Sequence, residues 1–152
     1  MQPSLMLHLL AALTLLAVPT VVGAQTTYGA GVTLKNATAF ADVQARPNTL
    51  EGQTIRVDGQ ISSVCTKTPC RWMAMIGTGG SDYGNAVFVR IDSGKIVFPN
   101  SAEGRRVSVQ GVMQSVARDP DPETKEVAAE YGEENGGGPP LWVLKATGAI
   151  VQ

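Results

Sequence analysis

Thr54-Ile55-Arg56-Val57-Asp58-Gly59-Gln60-Ile61-Ser62-Ser63-Val64 alternates apolar and polar residues with a period of two. Ile55, Val57, Gly59 and Ile61 fall on one side, and Arg56, Asp58, Gln60 and Ser62 on the other. One apolar side at period two is the pattern of a half-buried strand. Gly59 stands in the middle of the apolar side, where a strand normally carries a side chain to pack. A glycine there marks a sharp coil or bulge, as at a barrel corner. Residues 106–116 repeat the pattern: Val107, Val109, Gly111 and Met113 share a side, again with a glycine in mid-strand.

Working outward, Trp72–Ile76 reads as a short strand and residues 86–92 as another, with Val87, Val89 and Ile91 inward and Arg90 and Asp92 outward. Residues 77–84 form a Gly, Ser and Asp loop between them. Residues 95–98 are a short extended piece ending at Pro99, and residues 141–146 and 149–151 make the last strand. The period changes over residues 119–131. Asp121 can cap a helix with Pro122 at its first position. Thr124, Val127, Ala128 and Tyr131 line one face, and Glu123, Glu126 and Glu130 cover the rest as a solvated face. Gly132 is the expected stop, followed by Gly136-Gly137-Gly138-Pro139-Pro140. A short helix fits residues 38–46, with Thr38 as cap, Phe40 and Val43 on one face, and Pro47 ending it. Residues 25–35 are Gly- and Thr-rich and read as loosely ordered. The fold expected is mainly β: a small OB-like barrel of five to six strands, with one short helix before the last strand and a short N-terminal helix. A β-sandwich is the second reading.

The chain has 152 residues, the size of one domain once a leader is removed. Residues 5–18 are almost wholly apolar and uncharged, too short to span a bilayer with ease but suited to a secretory signal. Val22-Gly23-Ala24 supplies small residues for cleavage before Gln25, although no Lys or Arg precedes the apolar run. The expected division is a signal peptide at 1–24 and a single domain at 25–152, exported to a periplasm or the exterior, with no membrane insertion once the signal is cleaved. The net charge of −1 gives no basis for nucleic-acid binding. Asn36-Ala37-Thr38 matches a glycosylation triplet, a pattern that also arises by coincidence. The single histidine, His8, lies in the leader. The mature chain therefore lacks the usual general base and the commonest metal ligand. Ser62, Ser63 and Ser115 have no base to activate them, and the glycine clusters follow no phosphate-loop pattern. The expectation is a binding protein without catalytic activity.

The chemistry-bearing residues gather in Val64-Cys65-Thr66-Lys67-Thr68-Pro69-Cys70-Arg71-Trp72-Met73-Ala74-Met75. Three readings fit. In the first, Cys65 and Cys70 form a disulfide at a hairpin tip. Along an extended strand they would stand roughly 16 Å apart, so residues 66–69 must turn back to bring the Cα atoms within about 7 Å. In the second, the thiolates with Met73 and Met75 bind Cu(I), and Trp72 shields the cation. Met73 and Met75 are two apart and share a strand face, although core packing is the ordinary fate of such methionines. This set is similar, at Trp72, Met73 and Met75, to that of periplasmic copper and silver chaperones built on a small OB barrel. Their histidine ligand has no counterpart, so a cysteine would replace it. Zinc fits less well, because a structural site takes four N or S ligands. In the third, the cysteines do thiol–disulfide chemistry, with Lys67 and Arg71 favouring a thiolate. Four residues intervene here, where redox catalysts usually place two at a helix N-terminus. The partner is accordingly an unidentified protein, a small ligand or a metal-transfer protein.

Gly52-Gln53-Thr54-Ile55-Arg56-Val57-Asp58-Gly59, Val64-Cys65 and Cys70-Arg71-Trp72-Met73 together resemble the DUF4920 family of exported domains of unknown function. Val97-Phe98-Pro99, Gly104, Gly111 and Ala146-Thr147-Gly148 look like its later landmarks, so the resemblance covers residues 28–151. Gln53 stands where lysine is common, and Arg71 is inserted between Cys70 and Trp72. The resemblance implies a small exported OB-like barrel and singles out Cys65, Cys70, Trp72 and Met73. It carries no activity with it.

Overall fold

The computed structural model describes residues 23–65, 71–78, 86–91, 96 and 98–152. Its strands are β1 (Thr26–Gly29), β2 (Thr54–Val64), β3 (Trp72–Ile76), β4 (Val87–Arg90), β5 (Arg106–Ser115) and β6 (Trp142–Val151). Its helices are α1 (Phe40–Ala45) and α2 (Pro122–Glu134). The order β5-β2-β3-β4-β6 closes on itself through β6 pairing with β5, and β1 adds to β6 outside the closed ring. All pairings are antiparallel except β4 with β6. This is a five-stranded OB-like barrel with one extra strand.

The alternation of β2 survives almost intact: Ile55, Val57, Gly59 and Ile61 are buried and the residues between them are half-exposed. A bulge between Ile61 and Ser63 shifts the register and leaves Val64 buried with Met73 as its partner. Val57, Ile61, Met73, Met75, Val89, Val109 and Leu144 are wholly inaccessible and fill the barrel. Both mid-strand glycines lie where backbones nearly touch. A Cβ on Gly59 would stand 2.6 Å from the Ile76 carbonyl oxygen, and one on Gly111 would strike the Lys145 carbonyl at the β5–β6 bulge. A side chain at either point would push apart strands whose pairing closes the ring.

Several expectations need correction. Residues 26–29, read as loose, form β1, because Thr26 to Gly29 find partners in Val151 to Gly148. The first helix is shorter than expected and starts after Ala39 with no side-chain cap. Thr38 does not cap it. Its N–H donates to the Arg56 carbonyl at 2.7 Å in a parallel bridge beside Val57. Pro47 does end α1, but it also opens a 3-10 turn, Pro47–Leu50. Gly132 does not end α2. It is buried inside the helix, which runs on to Glu134. The Asp121 cap is as expected, its carboxylate accepting the Glu123 N–H at 3.0 Å with Pro122 next. Residues 1–22, on which the expected signal peptide falls, the loop residues 79–84, Asp92 and Lys95 lie outside the described residues.

Closure through Gly111 is open to test. Gly111→Ala is expected to cost about 2 kcal/mol, roughly 5–10 °C in a domain of this size. Gly137→Ala, with no atom within 4 Å of the new Cβ, should leave the melting temperature unchanged. Thermal unfolding by circular dichroism reads both, and equal melting temperatures would refute the role given to Gly111.

Candidate functional site

The β2–β3 hairpin carries Cys65, Trp72, Met73 and Met75, and its register assigns each to a face. Val64 opposes Met73, Ile61 opposes Met75, and the Cys65 N–H donates to the Trp72 carbonyl at 3.2 Å. Directly opposed residues share a face, and successive residues alternate. Met73 and Met75 therefore point into the barrel with Val64 and Ile61. A Cβ placed on Gly59 would meet the Met75 methyl at 3.2 Å. Cys65 and Trp72 lie on the outer face. The Arg71 N–H donates to Cys65 Sγ at 3.0 Å, and Cys65 is only 3 % exposed. Trp72 packs edge-on against Tyr131 of α2, ring centroids 5.0 Å apart. The stretch that looked like one locus is thus two. The thioethers belong to the core, the sulfur of Cys65 and the indole to the opposite face, and Trp72 does not roof the methionines. Cys70 lies outside the described residues. Among the described residues, no group of three or more His, Cys, Asp or Glu is arranged to hold a metal ion.

The outer face has a second layer of chemistry that the sequence reading missed. Trp72 pairs with Arg90, Ala74 with Phe88, and Arg90 with Lys145, so these side chains share the outside of β3, β4 and β6. α2 lies over them. Tyr131 touches Phe88 as well as Trp72, with centroids 4.7 Å apart, and Thr124, Val127 and Ala128 are fully buried beneath the helix. This explains why every residue of β3 and β4 is buried: one face lines the barrel and the other is roofed. Arg90, expected to point outward, does so, but into this roof, and is 4 % exposed.

Charge holds the roof down. Arg90 Nη1 donates to Asp121 Oδ2 at 2.5 Å and to Thr124 Oγ1 at 2.7 Å, and Nη2 donates to Glu123 Oε2 at 2.9 Å. Thr124 Oγ1 donates to Asp119 Oδ2 at 2.8 Å. Lys145 Nζ reaches the inaccessible Asp119 carboxylate at 3.0 Å. Arg71, beside the cysteine, donates to Glu130 at 2.7 Å and Glu123 at 3.3 Å, with Glu126 3.8 Å away. The acids read as a solvated face are therefore the counter-ions of Arg71, just before β3, and of Arg90 in β4. The signal was present: Glu123, Glu126 and Glu130 recur at helical spacing, and Arg90 closes an otherwise apolar run. Nothing local says that the two meet.

These contacts set the protonation states. Burial pushes the Asp119 carboxyl up, but the Asp121 N–H, Lys145 and Thr124 outweigh it and hold it below the ordinary carboxylate range. Asp121 is held down chiefly by Arg90, with help from the Glu123 N–H. Arg71 is raised, mainly by Glu130, and burial raises Tyr131. The set is one of ion pairs and aromatic packing. In OB barrels, oligonucleotides and oligosaccharides bind the face of the second and third strands and the loops after the first and fourth. Those strands correspond to β3 and β4, and here the chain's own helix occupies their outer face.

Arg90→Met should cost about 2 kcal/mol: the guanidinium is buried, but its partners Asp121 and Glu123 are partly exposed and can rehydrate. Arg71→Gln should cost about 1 kcal/mol or less. Carboxyls held below their unfolded value bind fewer protons when folded, so their contribution is complete above that value and lost as pH falls through the folded one. Stability should stay level from pH 6 to 5 and fall below about pH 4. Asp119→Asn should lose less on acidification than the parent chain, as read by melting temperatures at pH 6 and pH 3. An equal loss in both would remove Asp119 from the acid response.

No family model matches the chain, and no curated protein matches it. Solved structures are similar to it, among them the following two. One is the OBody AM3L09 bound to hen egg-white lysozyme, with 15% identity and a TM-score of 0.46, over 78% of this chain and 96% of that one. The other is a putative aspartyl-tRNA synthetase from Leishmania major Friedlin, with 12% identity and a TM-score of 0.44, over 78% of this chain and 21% of that one.

Proposed function

We propose that this chain is an exported, non-catalytic binding module: an OB-like barrel whose β2–β3 hairpin is stapled by a Cys65–Cys70 disulfide and which takes a protein or small ligand on its surface. Residues 1–24 serve as the signal peptide in this reading, and the DUF4920 resemblance agrees with it. The observation that carries it is the roof. With α2 on the outer face of β3 and β4, the hairpin locus serves architecture, and binding falls to the surface outside it. The disulfide is supported by Cys65, which carries no free thiol in the structure and whose sulfur is buried against the Arg71 N–H. Such a staple closes a short loop and adds about 2 kcal/mol. Among the described residues no helix is long and apolar enough to cross a membrane.

A Cu(I) carrier is the second reading, favoured by the shared face of Met73 and Met75. It requires a reduced Cys65 to join them, and the hairpin register sets Cys65 on the opposite face. Cu(I) binding would therefore need β3 to unpair from β2.

Intact mass of protein taken from its export compartment separates the two. The module predicts a mass two hydrogens below the reduced chain, resistance to alkylation until a reductant is added, and no Cu(I) uptake against a competing chelator. Stoichiometric copper that is lost in both Cys65→Ser and Met73→Leu would replace the module with a carrier.

A further inference from the structure

A different stripe of α2, Lys125 and Ala129, forms one wall of an apolar groove of about 450 Å³. Val116 and Ala117, in the turn after β5, make the floor, and the segment from Pro139 to Trp142 makes the far wall. This size falls in the range of about 300–1,000 Å³ usual for small-molecule sites. Leu141, on the rim, is 78 % exposed, the most exposed large apolar side chain among the described residues. The groove is built rather than incidental. The Val116 N–H donates to the Leu141 carbonyl at 3.0 Å. The Arg118 guanidinium, held by Glu51, stands 5.7 Å from the centre of the Trp142 ring. Gly132 lets the far wall sit directly on the helix, since a Cβ there would be 2.8 Å from the Gly138 carbonyl carbon.

Lys125 is the single charged residue lining the groove. Among the described residues it has no carboxylate partner. The ligand should thus present apolar surface and one negative charge. A peptide would bring a backbone N–H and C=O at every residue, each needing a partner when buried. Besides Lys125, the lining offers only the Ser115 hydroxyl and the Trp142 indole N–H as side-chain polar groups. An alkyl chain has no such need.

We infer that this groove binds a medium-chain fatty carboxylate, its tail lying along Ala129, Pro139, Leu141 and Trp142 and its carboxylate on Lys125 Nζ. The inference rests on the binding-module reading and names the ligand class. Each methylene that enters the groove should tighten binding about two- to fourfold, and the ion pair should make a carboxylate preferable to a neutral head of equal length.

The mature chain, labelled with 15N, would be titrated with octanoate, decanoate and dodecanoate below their micelle concentrations, and with dodecanol. The expected result is saturable shifts centred on Ala129, Leu141 and the Trp142 indole, with affinity rising along the series. Lys125→Gln should weaken dodecanoate about fivefold, to the level of dodecanol, without changing the melting temperature. Leu141→Ser should weaken both ligands. Four results would each overturn the inference: no saturable shift with dodecanoate, shifts centred elsewhere, equal dodecanoate affinity in Lys125→Gln, or the same shifts arising on concentrating the protein alone, which would put a second copy in the groove. None of these bears on the mass and copper measurements, so the module reading fails or stands separately.

Discussion

The buried guanidinium of Arg90 is the point on which the rest of the structure depends. It sits at the end of β4, beside Lys145 on β6, and faces the first turn of α2. An arginine taken out of water this far is tolerable only if carboxylates and hydroxyls surround it. Asp121, Glu123 and Thr124 do so, and all three belong to the start of one helix. Asp121 also caps that helix, so one residue both begins α2 and ties it to the barrel. The location of α2 follows from this anchor, and the burial of Trp72, Phe88 and Tyr131 follows from the location of α2.

The roof changes what the barrel face is for. A β-sheet face that carries Trp72, Arg90, Lys145 and a neighbouring Arg71 has the aromatic and basic character that suits an anionic or stacking ligand. Asp119, Asp121, Glu123 and Glu130 from the same chain already satisfy those cations. The charge is spent on intramolecular order, and the accessible apolar surface moves to the other stripe of the helix, beside Pro139 and Leu141.

Strand periodicity was a sound guide where one neighbour decided the outcome. Thr54–Val64 and Trp72–Ile76 have the bounds their alternation and composition indicate. The Asp121-Pro122 start of α2 is local chemistry, and it too was legible. β1 was not, because Thr26 to Gly29 have no pattern of their own and become a strand only against β6, more than a hundred residues away. The hairpin site was half legible. The residues were found, but their grouping was not, since a bulge near Ser62 decides which residues face together. Without the register, Cys65, Trp72 and Met73 look like one cluster because they are close in sequence.

The sequence by itself determined the strands with strong alternation, the mid-strand glycines that mark close backbone approach, the capped helix and the absence of imidazole after His8. Each of these depends on a few adjacent residues and elementary geometry. Only the tertiary structure decided that the acids of α2 serve as counter-ions for Arg71 and Arg90, that Cys65 faces away from Met73, and that Leu141 borders a groove. Those outcomes depend on which distant segments touch. Closing a barrel brings together residues separated by tens of positions, and no local pattern records their distances.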